Sequence, residues 1–286
     1  MQNTNEIRRH INAVRQTRKI TNAMKLVSTA RIKKAMQNLK YNNFYFERVQ
    51  SAMKDILLSP HPVDHPYLSL GRGKKRAYIV ISGDKGMVGD HNAKLLDFAR
   101  TEILNTGEKV ILITIGITAS EYFKKNGLAP DIEISGVSQN PSLDNARNLV
   151  IDLIDLFDNG EARSVYLIYT TFDNKTIPNP IVRRILPIRI HDYENIPEAE
   201  PEHEILYIPS PEEVFSDLVP QYLVGFLFEA MVQAYASEHY ARMNAMQSAT
   251  DNADELLEKL TIDYNRVRQA AITQEISEIT HTVDET

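Results

Sequence analysis

The chain has 286 residues, enough for one large domain or two smaller ones. Its 43% apolar and 24% charged residues are ordinary for a folded protein. No run of eighteen apolar residues occurs, so no direct membrane insertion is predicted. The absence of cysteine excludes disulfides, thiol catalysis and cysteine-based zinc sites.

The net charge of −6 is distributed unevenly along the chain. The first forty residues contain ten cations and one acid, a net charge of +9, so the rest of the chain carries −15. The ten cations are Arg8, Arg9, Arg15, Arg18, Lys19, Lys25, Arg31, Lys33, Lys34 and Lys40. Such a split indicates either a polyanionic partner or a basic end held inside an acidic assembly.

The first predicted element is one long helix, because residues from about 5 to 58 include no glycine or proline. At 1.5 Å per residue this helix would be about 80 Å long. The apolar residues that recur along it at helical spacing are Ile7, Ile11, Val14, Ile20, Met24 and Val27. This stripe is narrow and surrounded by cations, which is typical of a coiled-coil seam.

The middle of the chain has a different pattern. Residues 59–73 contain three prolines and two glycines, which end the helix. Short β-branched and aromatic runs then predict buried strands in RAYIVIS, KVILITIG and SVYLIYTTF, with an edge strand in IVRRILPIRI. Helices are predicted between them at 92–104, 119–126 and 142–157. This alternation predicts a Rossmann-like α/β unit with a largely parallel sheet.

After an acidic, proline-rich connector, a second long helix is predicted from Pro211, without interruption between Phe226 and about Thr280. A compact chain of this length has a radius of gyration of about 19 Å, so neither long helix fits within a single globular domain. We therefore expect α/β plus a long antiparallel coiled coil, with the N- and C-terminal helices paired and the α/β domain inserted between them. The predicted segments are 1–58, 74–190, 191–210 (the connector) and 211–286.

A helical wheel separates two apolar faces near the end of the second helix. The residues predicted to form the seam are Leu256, Leu257, Leu260, Tyr264, Val267 and Ala271. A second face, roughly a quarter to a third of a turn away, holds Ile272, Ile276 and Ile279. An exposed apolar face usually marks an interaction surface, so we expect another polypeptide to cover this one.

Sites for chemistry are weakly indicated. The loop GDKGMVGDHN follows the first strand and offers Asp84, Lys85, Asp90 and His91, but its glycine spacing matches no phosphate-binding motif. A tight strand-to-helix turn is the favoured interpretation. His61 and His65 lie among prolines, where the helical geometry of a metal pair fails. We therefore predict no catalytic residue, cofactor or metal.

Two alternatives remain open from the residues alone. The first is a coiled-coil nucleic-acid-binding protein, since the basic helix could follow a phosphate backbone. Its cations are spread around the helix, however, so a helix facing solvent or a protein partner is favoured, with no nucleic acid bound. The second is a small-molecule enzyme built on the α/β domain.

Both ends of the chain carry long motifs. EIRRHINAVRQTRKITNAMKLVSTARIKKA (Glu6–Ala35) and SEHYARMNAMQSATDNADELLEKLTIDYNRVRQAAITQEISEI (Ser237–Ile279) resemble the gamma subunit of F-type ATP synthases, the central rotor shaft. The two stretches cover about a quarter of the chain. In the middle, the resemblance is one of architecture, plus the position of the GDKGMVGDHN loop. The loop lacks the family's usual cysteine, and this and other departures indicate a divergent variant.

The resemblance implies a non-catalytic, torque-transmitting subunit. It implies a shaft that rotates in a ring of alternating alpha and beta subunits and couples proton or sodium flow to ATP synthesis or hydrolysis. The α/β domain would lie beside the epsilon subunit and the c-ring. The complex would be peripheral to the cell inner membrane, on its cytoplasmic face.

The resemblance also implies roles for individual residues. Polar and rotor–stator contacts with the catalytic subunits are expected at Met24, Lys25, Arg242, Arg268, Gln269, Thr273, Gln274 and Glu275. An apolar bearing tip is expected at Ile272, Ile276 and Ile279. Lys25 is a departure, because the family most often has an acid there.

Overall fold

The computed structural model describes residues 4–59, 63–173, 177–189 and 207–284, the last with side chains through Gln274 and at Ile276 and Ser277. The chain is divided into two compact units. One comprises Met1–Ala30 and Arg242–Thr286, here called the helix pair, and the other is Arg31–Ala241, here called the α/β unit. Among the described residues, no helix is long and apolar enough to cross a membrane.

The helices and strands follow the predicted order closely. The helices are α1 (Thr4–Leu58), α2 (His91–Asn105), α3 (Ile117–Lys125), α4 (Leu143–Asp158) and α5 (Pro211–Asp284). The strands are β1 (Lys75–Ile81), β2 (Val110–Ile115), β3 (Ile132–Ile134), β4 (Ala162–Thr170) and β5 (Pro180–Leu186). All but β3 were predicted from the sequence. Most of the predicted connector, residues 191–206, lies outside the described residues.

The five strands form one sheet in the order β3-β2-β1-β4-β5. The pairs β3–β2, β2–β1 and β1–β4 are parallel, and β5 runs antiparallel to β4 at the edge. Helices connect the parallel strands, as a parallel sheet requires. The α/β fold with paired terminal helices is therefore confirmed, and β5 is the predicted edge strand.

Both faces of the sheet are covered, which explains why its strands read as continuous apolar runs. Along β1, Ile79 and Ile81 join a core formed with α4 and with the parts of α1 and α5 that belong to the α/β unit. Tyr78 and Val80 point the other way, into a smaller core formed with α2 and α3. Because successive strand residues alternate sides, one strand supplies both cores.

The helix pair is antiparallel. The hydroxyls of Thr21 and Thr250 are 2.7 Å apart in its buried seam. Three residues earlier on α1 and four later on α5, Arg18 Nε lies 2.6 Å from an oxygen of Asp254. Since the numbering falls on one helix as it rises on the other, the two segments run in opposite directions. The ion pair is half exposed and so contributes little to stability.

The seam itself differs from the predicted stripe. Ile7, Val14, Thr21 and Ser28 are all buried, and they repeat every seven residues. The prediction is therefore right for Ile7, Ile11 and Val14. It is wrong for Ile20 and Val27, which are 55% and 51% exposed. Each of these lies one position before a buried polar residue, so helical geometry turns it about 100° out of the seam.

The seam of α5 needs a similar correction. From Thr250 onward, its buried or half-buried positions are spaced alternately by three and four residues, and they are Thr250, Ala253, Leu257, Leu260, Tyr264 and Val267. Leu256 and Ala271 were also predicted for the seam, but both are exposed. The seven-residue repeat excludes Leu256, which is one position before Leu257. Ala271 keeps the spacing, four residues after Val267, but the structure leaves it exposed.

Candidate functional site

The second apolar face predicted on α5 is exposed in the helix pair. Ile272 and Ile276 are 47% and 57% exposed and stand one helical turn apart. Ile279, predicted to complete this face, lies outside the described side chains. Two adjacent half-exposed isoleucines on one helix form an apolar surface that another polypeptide could cover.

Polar side chains surround these isoleucines. Arg268, Gln269, Thr273 and Gln274 are exposed, as expected for residues that contact a partner. The Thr273 hydroxyl donates to the backbone carbonyl of Gln269 at 2.9 Å, which holds its side chain against the helix. The side chain of Glu275 lies outside the described residues. The structure thus gathers four of the predicted polar contacts on the same stretch of α5 as the two isoleucines.

The remaining predicted contacts are placed differently. Met24 and Lys25 are half-buried on α1. Arg242 is 6% exposed, so the structure does not bring it to the surface with the others. Its guanidinium lies within the fold of this chain, and little of the side chain is left for a partner to contact.

Sequence reasoning missed an exposed apolar group on α1. Ile20, Leu26 and Val27 all present large side chains to the outside of the helix pair. The seven-residue repeat of Ile7, Val14, Thr21 and Ser28 could have identified them, because it leaves no seam position for Ile20 or Val27. The exposed cations of this helix, including Arg15 and Lys19, surround the group. The surface of the helix pair is therefore apolar and basic on α1.

The loop between β1 and α2 is held by one carboxylate. Asp84 accepts hydrogen bonds from the Ile117 backbone N–H at 2.8 Å, the Ser138 hydroxyl at 2.7 Å and the Gln139 side-chain amide at 3.1 Å. Asp90 forms an exposed ion pair with Lys94 at 2.8 Å. With Asp84 occupied by the chain's own donors, the arrangement is that of a strand-to-helix turn.

Of the two histidines whose positions among prolines argue against a metal pair, the structure describes His65. His65 packs its ring against Tyr67 and Phe215, and its Nδ1 accepts from the Tyr67 backbone N–H at 3.3 Å. His61 lies outside the described residues. In the described part of the chain, no group of three or more histidines and carboxylates could hold a metal ion.

Comparison with known proteins extends the similarity to nearly the whole chain. Residues 3–284 match the protein family described as ATP synthase. The ATP synthase gamma chain of Ruminiclostridium cellulolyticum is 37% identical over 283 residues, covering 97% of this chain and 96% of that protein. These matches include the α/β unit, where the terminal motifs carry no information.

Two solved structures have the same fold. One is a chain of the Euglena gracilis mitochondrial ATP synthase, in a structure of OSCP, F1 and c-ring in rotational state 3. It aligns with a TM-score of 0.65 at 15% identity, covering 98% of this chain and 93% of that one. The other belongs to the central stalk and c-ring of the Tetrahymena thermophila mitochondrial ATP synthase. Its TM-score is 0.59 at 22% identity, covering 80% of this chain and 99% of that one.

Proposed function

This chain belongs to the family of ATP synthase gamma chains, and we propose that it rotates within a ring of alternating alpha and beta subunits and couples ion flow to ATP synthesis or hydrolysis. We favour this function over the nucleic-acid-binding alternative, which rested on the basic charge of α1 alone. The proposal assigns that charge to acidic surfaces of the surrounding subunits.

The exposed face of Ile272 and Ile276 is the observation that carries this proposal. The two helices of the pair contact each other along one seam. Ile272 and Ile276 are large apolar side chains that lie outside this seam. Each is about half exposed, so covering the remainder would contribute roughly 1 kcal/mol per side chain. An apolar surface on the surrounding subunits makes no directional bonds. It would therefore hold the end of α5 in place and still allow it to rotate.

Polar residues would then make the contacts that depend on rotor angle. Arg268, Gln269 and Thr273 are exposed beside the isoleucines, and hydrogen bonds to them would form at some angles and break at others. Because each side of the shaft presents different groups, each catalytic subunit would favour a different conformational state as the shaft turns. In this proposal the chain carries no catalytic site, and the ATP sites belong to the other subunits.

The α/β unit is proposed to face the membrane sector. Both similar structures are of complexes that contain a c-ring, and the Euglena gracilis complex also contains F1, which supports a c-ring as partner here. We assign the epsilon subunit as a further partner of the α/β unit. The complex would be peripheral to the cell inner membrane on its cytoplasmic face, with protons or sodium ions as the coupling ion.

The test replaces Ile272 and Ile276 together with aspartate. Loss of roughly 2 kcal/mol of apolar contact should weaken association with the alpha and beta subunits by about 30-fold or more. Association is measured by co-purification with these subunits and by ion-coupled ATPase activity of the reconstituted complex. The matched control is Ile151→Asp, because Ile151 is 54% exposed on α4 in the α/β unit.

Both variants should retain the folded α/β unit, since neither change touches its core. Normal assembly and coupling of the Ile272→Asp, Ile276→Asp chain would refute the bearing role. Loss of assembly in the Ile151→Asp chain as well would show that any surface charge has this effect, and the apolar face would then carry no special role.

A further inference from the structure

The sheet of the α/β unit contains a crevice that the proposed function does not use. The chain leaves β1 toward β2 and β3 on one side and returns to β4 on the other. Open α/β sheets bind their ligands where the strand order reverses in this way, outside the carboxyl ends of the strands. Here that position lies beyond Ile81 of β1 and Thr170 of β4, and both residues line the crevice.

A side chain of this chain occupies the crevice. Glu238 of α5 reaches Gly83, the second residue after β1, and is itself only 8% exposed. A Cβ placed on Gly83 would lie 2.6 Å from both the carboxyl carbon and Oε2 of Glu238. The carboxylate thus rests directly on the glycine backbone. In nucleotide-binding α/β folds, a glycine after the first strand allows a phosphate this same close approach.

The remaining space is small, and its lining includes the polar residues Ser82, Ser138 and Thr170. It amounts to about 10 Å³, enough for about one water molecule and too little for a phosphate group. The hydroxyl of Thr170, a residue 2% exposed, faces this space and has no hydrogen-bond partner among the described residues. A buried hydroxyl without a partner is costly, so the crevice is built for a polar occupant.

We propose that Glu238 is a permanent internal ligand of this crevice, a carboxylate from α5 in the place where related folds bind an anionic ligand. One bound water would complete the site at Thr170. The contact fixes α5 against the end of β1 and closes the crevice to nucleotides. It depends only on the α/β unit and holds whether or not the chain turns in an ATP synthase.

The proposal is tested by a double-mutant cycle on the full-length chain. The backbone of Gly83 lies outside the left-handed region, so alanine is allowed there and acts purely through its Cβ. Gly83→Ala should lower Tm by about 5 °C, the scale of an overpacked contact in a unit of this size. In the Glu238→Ala chain the same change should be neutral or slightly stabilising, because the obstructing carboxylate is gone. Additive effects of the two changes would overturn the proposal.

The ligand class is tested with formate as the probe. Formate should raise the Tm of the Glu238→Ala chain more than that of the parent chain, because it can enter the vacated carboxylate position. The control is Glu213→Ala, since Glu213 is exposed in the first turn of the same helix. Equal shifts in all three chains would show a general salt effect and refute the site.

A conservative variant covers the case in which Glu238→Ala does not fold. Glu238→Gln keeps the size of the side chain, so Gly83→Ala should lower the Tm of this chain by as much as it lowers the Tm of the parent chain. If Gly83→Ala had no effect in either the parent or the Glu238→Gln chain, the close contact would not exist and the proposal would fail.

Discussion

The carboxylate of Asp84 is predicted to hold three separated segments of the α/β unit together, and Asp84→Asn tests this. The side chain accepts from the Ile117 backbone N–H, the Ser138 hydroxyl and the Gln139 amide, at 2.7 to 3.1 Å. An asparagine offers one acceptor oxygen in place of two and turns an NH₂ group toward donors. At least one of the three charge-assisted bonds is therefore lost, at a cost of about 2 kcal/mol.

The same contact predicts a pH dependence. Burial by itself would raise the pKa of Asp84, but hydrogen bonds from Ser138, Ile117 and Gln139 outweigh it and lower the pKa below its ordinary value. A carboxyl with a depressed folded pKa contributes stability above its unfolded pKa of about 3.9. This contribution should be lost as the pH falls from there through the folded pKa. The Asp84→Asn chain should lack that part of the acid sensitivity.

Urea unfolding at neutral and acidic pH measures both effects, and hydrogen exchange at the Ile117 amide reports the local contact directly. The matched control is Asp90→Asn in the same loop, where the carboxylate is exposed and paired with the exposed Lys94. Its stability should change little, because exposed pairs are weak. Equal effects of the two substitutions, or an unchanged exchange rate at Ile117, would refute the role given to Asp84.

Two further substitutions test the packing of the long helices. A Cβ on Gly225 of α5 would lie 2.3 Å from the Phe46 ring. Gly225→Ala should therefore cost about 1 kcal/mol in urea unfolding despite its better helix propensity, and should become stabilising when Phe46→Ala is also present. In the helix pair, Leu257→Ala should lower stability by roughly 1–2 kcal/mol, while Leu256→Ala, at an exposed position, should have a much smaller effect. Equal losses for the two leucines, measured by thermal unfolding, would place the seam elsewhere.

Most of the fold could be predicted because its signals are local. Apolar runs of six to nine residues marked β1, β2 and β4, and the long stretches without glycine or proline marked α1 and α5. β3 was missed because it has only three residues, Ile132–Ile134, none of them fully buried. Its position depends on pairing with β2, a contact that no local pattern records.

Pro220 shows how tertiary contacts override a local signal. It lies inside α5, which continues through it, although proline interrupts helical hydrogen bonding. The residues beside it, Val219 and Tyr222, are buried in the core of the α/β unit. Packing of an apolar helix face supplies most of a helix's stability in a protein, so it outweighs the local cost of the proline.

The candidate surface was predictable only in part, for the same reason. The exposure of Ile272 and Ile276 followed from helical geometry along one segment. The burial of Arg242 did not, because it depends on what surrounds that side chain in the folded chain. The contact of Glu238 with Gly83 joins residues 155 positions apart, and no sequence motif in either segment predicts it. Close backbone approaches of this kind require the folded structure to be seen.

The residues that form the seam between the two helices bear on why other apolar residues of α1 are exposed. Thr21 and Thr250 share a hydrogen bond where larger apolar residues would add stability. Ile20, one position before Thr21, and Val27, one position before the buried Ser28, are left about half exposed. A chain that acted alone would gain by the opposite arrangement, since burying each such side chain contributes on the order of 1–2 kcal/mol. Polar seam residues instead fix the register of a coiled coil at some cost in stability. The distribution is therefore that of a helix pair set in one register, with Ile20 and Val27 left exposed, as the proposed function requires of a surface that other subunits would cover.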